Sequence, residues 1–257
     1  MAREYALTNW LINLKHSTNK NRQDRAEGTR KRILRAAVRE FSAHGLSGAR
    51  TDAIAESAGA NKALLYYYFK SKKGLYAAAI EEVSGKVVGD ALAAFDPEFS
   101  AGERLLRSAL IHFDRILTRR EFQSLMQQEM VRFRSGQSGT IPILFKTAFK
   151  PLLEKLHEAV DEGMKTGELC KMDWLQVVYS MFGANVFYFL SAPFTQLALP
   201  FNPFDVDALR SRRTAAVQFL GEALFIDRAH GAKLANRILA EMPMPQAKNF
   251  QARRKHP

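Results

Sequence analysis

The stretch TDAIAESAGANKALLYYYF, residues 51–69, decides the fold because it contains two short helical patterns joined by a tight turn. In the first pattern, Ile54, Ala55 and Ala58 recur at helical spacing and form one small apolar face. Small side chains on that face let a second helix approach closely. Gly59 stands where a glycine commonly ends a helix. The spacing therefore predicts a helix-turn-helix.

The second helix is expected to present one face to the core and the other to the outside. Asn61 is a favourable N-cap for it, and Leu65 and Phe69, four residues apart, are predicted to face the core. The residues left on the outer surface are Lys62, Ala63, Leu64, Tyr66 and Tyr67. An exposed tyrosine offers a hydroxyl to phosphate and a ring to sugar or to a thymine methyl group. This face therefore suits a helix lying in the major groove of DNA.

Thr51 is expected to cap the first of the two helices with its side-chain oxygen. The first backbone N–H groups of a helix have no partner within the helix, and such donors suit a phosphate.

These residues resemble a known family. Residues 29–76 contain TRKRILRAAVREFSAHG, then TDAIAESAGANK, then LLYYYFKSKKGLY, and this order is similar to the DNA-binding domain of the TetR/AcrR family of bacterial transcriptional regulators. Two departures stand out. Leu64 occupies a position where the family commonly has threonine or serine, and Lys73-Gly74 stands where an acidic residue is usual. The first favours apolar contact with a thymine methyl group, and the second adds positive charge near the DNA backbone.

The resemblance implies roles for individual residues. Phosphate contacts are implied for Thr51, Tyr67, Tyr68 and Lys72, and base-facing positions for Lys62, Ala63, Leu64 and Tyr66.

The charge distribution supports a polyanionic partner independently of the motif. Residues 1–73 hold fifteen Lys and Arg against six Asp and Glu, a balance of +9, and the tail from Lys248 adds +4. Because the whole chain carries +12, residues 74–247 are left at −1. The basic character is thus confined to the two ends, as expected for binding that releases counterions from phosphates.

Composition limits the remaining classes. A chain of 257 residues with 47% hydrophobic content can bury a sizeable core. Polar residues and a proline interrupt the apolar stretch around Trp174 to Leu199, so we predict a buried interface helix there and no membrane span. One cysteine, Cys170, offers no internal disulfide, and no metal site or cofactor is predicted. We expect a cytoplasmic protein.

The predicted fold is all-α, with an N-terminal three-helix helix-turn-helix domain and a C-terminal helical domain. The expected divisions are a flexible basic extension over residues 1–25, the DNA-binding domain over 26–73, an effector-binding and dimerisation domain over 74–242, and a basic tail over 243–257. Ser71 is expected to cap a long helix that joins the two domains. A later helix is expected to run from Asp173 to about Leu190.

Two sets of side chains in the second domain are candidates for binding. A dimer interface, which the family resemblance implies, is predicted on the apolar helices there, with an intrachain bundle as the alternative; its residues would be Trp174, Val178, Met181, Phe182, Val217, Leu220 and Leu224. An apolar effector pocket is predicted, with plain core packing as the alternative; its residues would be Phe113, Met126, Met130, Phe133, Phe145, Phe149, Tyr179, Phe187 and Tyr188. His112 is interpreted as a surface or satisfied core histidine, and Asn185 as a candidate polar anchor.

The resemblance implies a homodimeric repressor that a small hydrophobic or amphipathic effector releases from a palindrome-like double-stranded DNA operator. Two other classes remain open. One is an architectural DNA-binding protein without an effector, which a filled second-domain core would favour. The other is an all-α enzyme, although the sequence has no nucleophile triad, phosphate-cradling glycine loop or HExxH motif.

Overall fold

The structure is a computed structural model that describes the backbone of residues 2–245 and the side chains of residues 24–245. As predicted, the fold is all-α. Its helices are α1 (Ala2–Gly48), α2 (Thr51–Ser57), α3 (Lys62–Phe69), α4 (Lys72–Leu92), α5 (Ala101–Thr118), α6 (Arg120–Arg134), α7 (Thr140–Leu144), α8 (Lys150–Thr166), α9 (Trp174–Ala198), α10 (Val206–Leu224) and α11 (Arg228–Glu241). A 3-10 turn over Ala93–Phe95 follows α4, and a π turn over Phe145–Phe149 leads into α8.

The N-terminal helix is longer than the sequence indicates. Helix α1 begins at Ala2 and so includes the residues for which a flexible extension is expected. Gly45 interrupts it with non-helical angles, φ 67 and ψ 179. Residues 246–257, most of the predicted basic tail, lie outside the described part of the chain.

The chain forms two compact units that differ from the predicted division. Unit 1 contains residues 1–83 and 124–140, and unit 2 contains residues 84–123 together with those from 141 onward. Helices α4 and α6 each therefore contribute to both units. The expected boundary after residue 73 came from the motif alone, which carries no information about α6.

Unit 1 is built on the apolar face of α1. Ile33, Leu34, Ala37 and Phe41 are buried there, and the Phe41 ring meets the Tyr76 ring edge-on at a centroid distance of 5.0 Å. This core fixes the two short helices against α1.

Unit 2 is organised around α5, which contacts α8, α9, α10 and α11. Its tightest crossing joins α10 and α11, where Gly221 and Gly231 approach backbone to backbone. A Cβ added at Gly231 would lie 1.9 Å from the Gly221 carbonyl oxygen, so only glycine fits this crossing. The single β feature among the described residues is an isolated antiparallel bridge between Leu169 and Phe225.

Helix α9 extends further than predicted. It continues through Pro193 to Ala198 instead of ending near residue 190. Proline removes the backbone donor that would bond to the Phe189 carbonyl, and the helix nevertheless continues. Near this point the Thr195 hydroxyl donates to the Ser191 carbonyl at 3.2 Å. By length and composition, α9 alone among the described helices passes as a candidate membrane span. That is weak support for a span, since one of its faces packs in the core of unit 2.

Candidate nucleic-acid interface

The turn between α2 and α3 has the predicted geometry. Gly59 adopts a positive φ of 59, which a residue without a Cβ reaches at no steric cost. Asn61 is the N-cap of α3, and its side-chain oxygen accepts a 2.8 Å hydrogen bond from the Leu64 backbone N–H. Ile54, Ala55 and Ala58 are buried as the apolar face of α2. The helix-turn-helix prediction is confirmed.

Helix α3 presents the expected outer face. Leu65 is 0% exposed and Phe69 is 7% exposed, which holds the helix to the core of unit 1. The opposite face is exposed, and its residues are Lys62, Ala63, Leu64, Tyr66 and Tyr67. Tyr67 projects furthest, at 69% exposed, whereas Tyr68 is half-buried with its ring 5.2 Å from that of Tyr67. The surface available to a groove therefore lies chiefly on the predicted residues.

The capping role predicted for Thr51 is wrong. Thr51 is the first residue of α2, and the N-cap is Arg50, whose side chain makes no capping hydrogen bond. The extended Arg50 backbone is instead fixed when its N–H donates to the Glu40 carboxylate on α1 at 3.0 Å. This long-range contact positions the residue before α2 but does not accept from the first N–H groups of the helix. Contact between Thr51 and a phosphate remains a prediction.

Lys62, the first residue of α3, is held by an acidic partner on α2. Its Nζ lies 3.0 Å from a carboxylate oxygen of Asp52, in an exposed ion pair. The hydrogen bond to this carboxylate raises the pKa of Lys62, so the ammonium stays protonated. The two residues are ten positions apart on different helices, which no periodicity argument connects. Asp52 is therefore a site residue that the sequence analysis missed.

The turn that leads into α4 explains the unusual glycine at position 74. A Cβ there would lie 2.3 Å from the Phe69 carbonyl oxygen, so glycine permits this close approach. Ser71 caps α4 as predicted, since its Oγ accepts from the Gly74 N–H at 3.0 Å. Lys72 donates to the Ser47 carbonyl at 3.2 Å, which positions its ammonium beside the end of α1.

Helix α6 packs against the end of α1 within unit 1. The Ser42 carbonyl accepts hydrogen bonds from Ser124 Oγ at 2.6 Å and from Gln128 Nε2 at 3.2 Å. Beside it, the Gln128 side-chain oxygen lies 3.3 Å from the Cβ position of Gly45. Residues of α6 thus belong to the unit that carries the exposed face of α3.

The comparisons with known proteins agree with this geometry. Residues 33–79 match the family model "Bacterial regulatory proteins, tetR family". The HTH-type transcriptional repressor SCO4008 of Streptomyces coelicolor is 50% identical over 56 residues, which cover 22% of this chain and 29% of that protein. Residues 33–79 therefore carry the domain of the bacterial tetR-family regulatory proteins. A second relative, the HTH-type transcriptional repressor NicS of Pseudomonas putida, is 40% identical over 62 residues, covering 24% of this chain and 29% of its own.

The sequence matches thus span less than a third of these relatives, whereas the fold extends further. A putative transcriptional regulator from Saccharomonospora viridis, solved in complex with choline, aligns with a TM-score of 0.60 at 19% identity. That alignment covers 76% of this chain and 97% of the solved one. At this identity the likeness concerns the fold alone, and it includes the helical region beyond the family match.

The predicted pocket residues belong to both compact units and differ in burial. Phe113 is buried in a small core cluster with Leu117 and Leu209, and Tyr188 packs against that cluster. Met126 and Phe149 are half-buried. The other five are exposed, namely Met130, Phe133, Phe145, Tyr179 and Phe187. Helical spacing alone did not distinguish core positions from outward ones on these helices.

The predicted dimer-interface residues face inward. The core of unit 2 buries Val178, Met181, Val217, Leu220 and Leu224, and Trp174 and Phe182 are partly buried against it. Five of the seven side chains are therefore buried in the intrachain bundle that was the alternative. The exposed apolar side chains of α9 are different ones; they are Leu175, Tyr179, Val186, Phe187, Leu190, Phe194 and Leu197.

Proposed function

We propose that this chain is a sequence-specific DNA-binding transcriptional regulator, acting as a homodimeric repressor that a small-molecule effector releases from a palindrome-like operator. The observation that carries the proposal is the exposed face of α3, held outward by buried Leu65 and Phe69 on its opposite side. On this face Lys62 offers a charged donor and Leu64 an apolar contact. The two exposed tyrosines offer phenolic hydroxyls. That combination matches the mixture of phosphate, base-edge and thymine-methyl contacts made in a major groove.

The exposed stripe on α9 supports a second copy of this chain as its partner. Helix α9 contains no Asp, Glu, Lys or Arg over its 25 residues, and Tyr179, Phe187 and Phe194 on it are each more than 60% exposed. A contiguous uncharged apolar face of this kind marks an interaction surface, whereas scattered exposed apolar residues need no explanation. Phe219 on α10, 67% exposed, adds to the apolar surface of unit 2. An isologous pairing would bury two copies of the stripe and bring two α3 helices to a two-fold-related operator.

Unit 2 is proposed to bind the effector, and α4 and α6 to transmit its effect. Both helices contribute residues to both units, with α4 passing from one to the other between Val83 and Ser84. An effector changes operator occupancy only if it binds the two states of the dimer with different affinity, by roughly 1–3 kcal/mol. A cytoplasmic location follows from this proposed role.

Selection from a random duplex pool at moderate salt tests the DNA-binding proposal. The enriched sequence is then titrated by fluorescence anisotropy with wild type and with Lys62→Ala. We expect the enriched sequence to be palindrome-like. The ratio of its affinity to that of scrambled DNA should be lower for Lys62→Ala than for wild type. Absence of enrichment by the wild-type protein would leave only non-specific binding and overturn the proposal.

Sedimentation tests the dimer separately. Phe187→Asp introduces a charge into the exposed stripe of α9 and is expected to give a monomer at micromolar concentration. Phe133→Asp is the matched control, because it makes the same change at an exposed phenylalanine of unit 1. A Phe187→Asp protein that stays dimeric would place the interface elsewhere.

A further inference from the structure

The buried charges of the described residues are paired with one exception. Four charged side chains are buried: Glu103, Arg115, Glu129 and Arg213. Glu103 is bonded by Arg107 and Arg237, and Glu129 is bonded by Arg132 and Ser138.

Arg213 shows how a buried guanidinium is satisfied in this fold. Its Nε and Nη2 donate to the two carboxylate oxygens of Asp114 at 2.7 and 2.8 Å. This two-bond arrangement is the strong geometry of an arginine–carboxylate pair.

Arg115 offers the same two N–H groups but lacks the carboxylate. It is 7% exposed, and its Nε and Nη2 have no hydrogen-bond partner among the described residues. Its burial lowers its pKa to about 10, which leaves the guanidinium charged at neutral pH. The acid that interacts with it electrostatically, Asp90, is already paired with Arg119 at 3.5 Å. The guanidinium therefore has a charged neighbour but no hydrogen-bonded carboxylate on Nε and Nη2, and an anion bound there would supply the two missing acceptors.

Two more polar groups without partners lie on the adjoining surfaces of α5 and α9. His112, one turn before Arg115, lies against the Phe182 ring at a centroid distance of 4.5 Å with the two rings tilted by 49°, and its Nδ1 has no partner among the described residues. Asn185, one turn after Phe182, donates to the Ala109 carbonyl at 3.1 Å, but its side-chain oxygen is buried without a partner in the described chain. The expectation of a satisfied core histidine is therefore wrong for Nδ1, and Asn185 remains a polar anchor candidate.

We propose that Arg115 binds the carboxylate of an apolar effector in unit 2, with His112 and Asn185 offering hydrogen bonds to a further polar group of the same molecule. The inference rests on the proposed function and assigns its effector a chemical class. The planar carboxylate matches the Nε and Nη2 edge, as the Arg213–Asp114 pair demonstrates. An apolar body suits the site because Phe182, whose ring lies beside His112, packs against the hydrophobic core of unit 2.

Thermal unfolding and calorimetric titration test the proposal with hexanoate, octanoate and benzoate, each beside its uncharged primary amide. We expect at least one carboxylate to raise the melting temperature of wild type by several degrees while its amide does not. Arg115→Met should weaken carboxylate binding at least tenfold. Arg210→Met is the matched control, since it removes the same charge from an exposed arginine of unit 2.

The ligand-free proteins give a readout that a structural role would not produce. Removing an unpaired buried charge should leave the melting temperature of ligand-free Arg115→Met equal to or above that of wild type. A fall of several degrees would assign Arg115 to an internal contact and overturn the proposal, as would wild-type binding that does not distinguish carboxylate from amide. Operator binding, measured in parallel, separates the two proposals: sequence-specific binding without any carboxylate response overturns only the effector class, whereas loss of sequence-specific binding overturns the proposed function.

Discussion

Ser124 on α6 donates a 2.6 Å hydrogen bond to the backbone carbonyl of Ser42 on α1. The residues are 82 positions apart, and Gln128 donates to the same carbonyl oxygen. A shift of α6 along its axis cannot occur without breaking these bonds to the helix that supports α3. If the proposed effector acts on unit 2, we expect α6 to transmit its effect to the exposed face of α3 together with α4.

Removing both donors should uncouple the effector from the operator. Ser124→Ala with Gln128→Ala is expected to retain operator binding within about threefold, because neither residue lies on the exposed face of α3. Effector-induced release should weaken by about tenfold or more, a coupling loss of roughly 1.4 kcal/mol. Anisotropy titrations with and without effector measure both quantities. Gln127→Ala, an exposed change on the same helix, is the control; equal uncoupling by both proteins would exclude this contact as the route.

Tyr67 and Lys62 should affect DNA binding differently. Truncating Tyr67 to alanine removes a phosphate contact and is expected to weaken binding to operator and scrambled duplexes by similar factors. Lys62→Ala should instead reduce the ratio of the two affinities, since a base-facing donor is lost. Titrations on both duplexes give this ratio directly. Equal losses on every sequence for both variants would contradict the proposed division of roles.

Asp52 should restrain DNA binding. It lies 3.0 Å from the Lys62 ammonium in the free protein, so DNA must compete with this carboxylate for the lysine. Asp52→Asn is expected to tighten binding to all duplexes by about threefold to tenfold at low salt and to steepen the salt dependence. Glu56→Gln on the same exposed face of α2 is the control for charge alone. If it tightens binding as much as Asp52→Asn, the ion pair has no specific effect.

The glycine crossing of α10 and α11 should tolerate no added carbon. Gly231→Ala is expected to lower the free energy of unfolding by about 2–3 kcal/mol, because the Cβ would overlap the Gly221 carbonyl. Gly89→Ala on α4 has no atom within 4 Å of its Cβ position and should stabilise by about 0.5–1 kcal/mol through helix propensity. Urea denaturation measures both changes. A Gly231→Ala protein as stable as wild type would disprove the close approach.

The stability of unit 2 should depend on the protonation of His112. Burial, together with the charge of Arg115, lowers the pKa of His112 from 6.5 to about 4. Between these values the unfolded chain binds a proton that the folded chain does not, so this residue makes stability fall as pH decreases from about 6.5 toward 4, by up to about 3 kcal/mol. Unfolding curves from pH 4.5 to 7.5 should show a smaller decline for His112→Gln than for wild type. The same change at exposed His157 is the control, and parallel slopes for wild type and His112→Gln would refute the assignment.

The sequence predicted the parts of this structure that depend on local rules. Asn61 caps α3, Gly59 takes a positive φ, and Leu65 and Phe69 face inward, because each outcome is set by residues within one or two turns. The same local information identified the family from residues 29–76. The exposed face of α3 followed from these positions.

What the sequence did not predict depends on partners distant in the chain. Thr51 was expected to cap α2, but Glu40 on another helix fixes the preceding residue instead. Val178 and Val217 were assigned to a partner subunit although they face their own core, since an apolar stripe gives the spacing of buried residues and not what buries them. The sequence likewise could not show that Nε and Nη2 of Arg115 lack hydrogen-bond partners, because Asp90 on another helix is paired with Arg119.

The DNA-binding unit is assembled from two separated stretches of chain, 1–83 and 124–140. Exchanging effector specificity between relatives by joining two sequences near residue 83 would therefore divide this unit, because the donor helix would bring foreign residues against Ser42 and Gly45. A functional chimera would need residues 1–83 and 124–140 to come from the same parent protein. The two units are defined by contacts in space, so dividing the sequence at a single position does not separate one unit from the other.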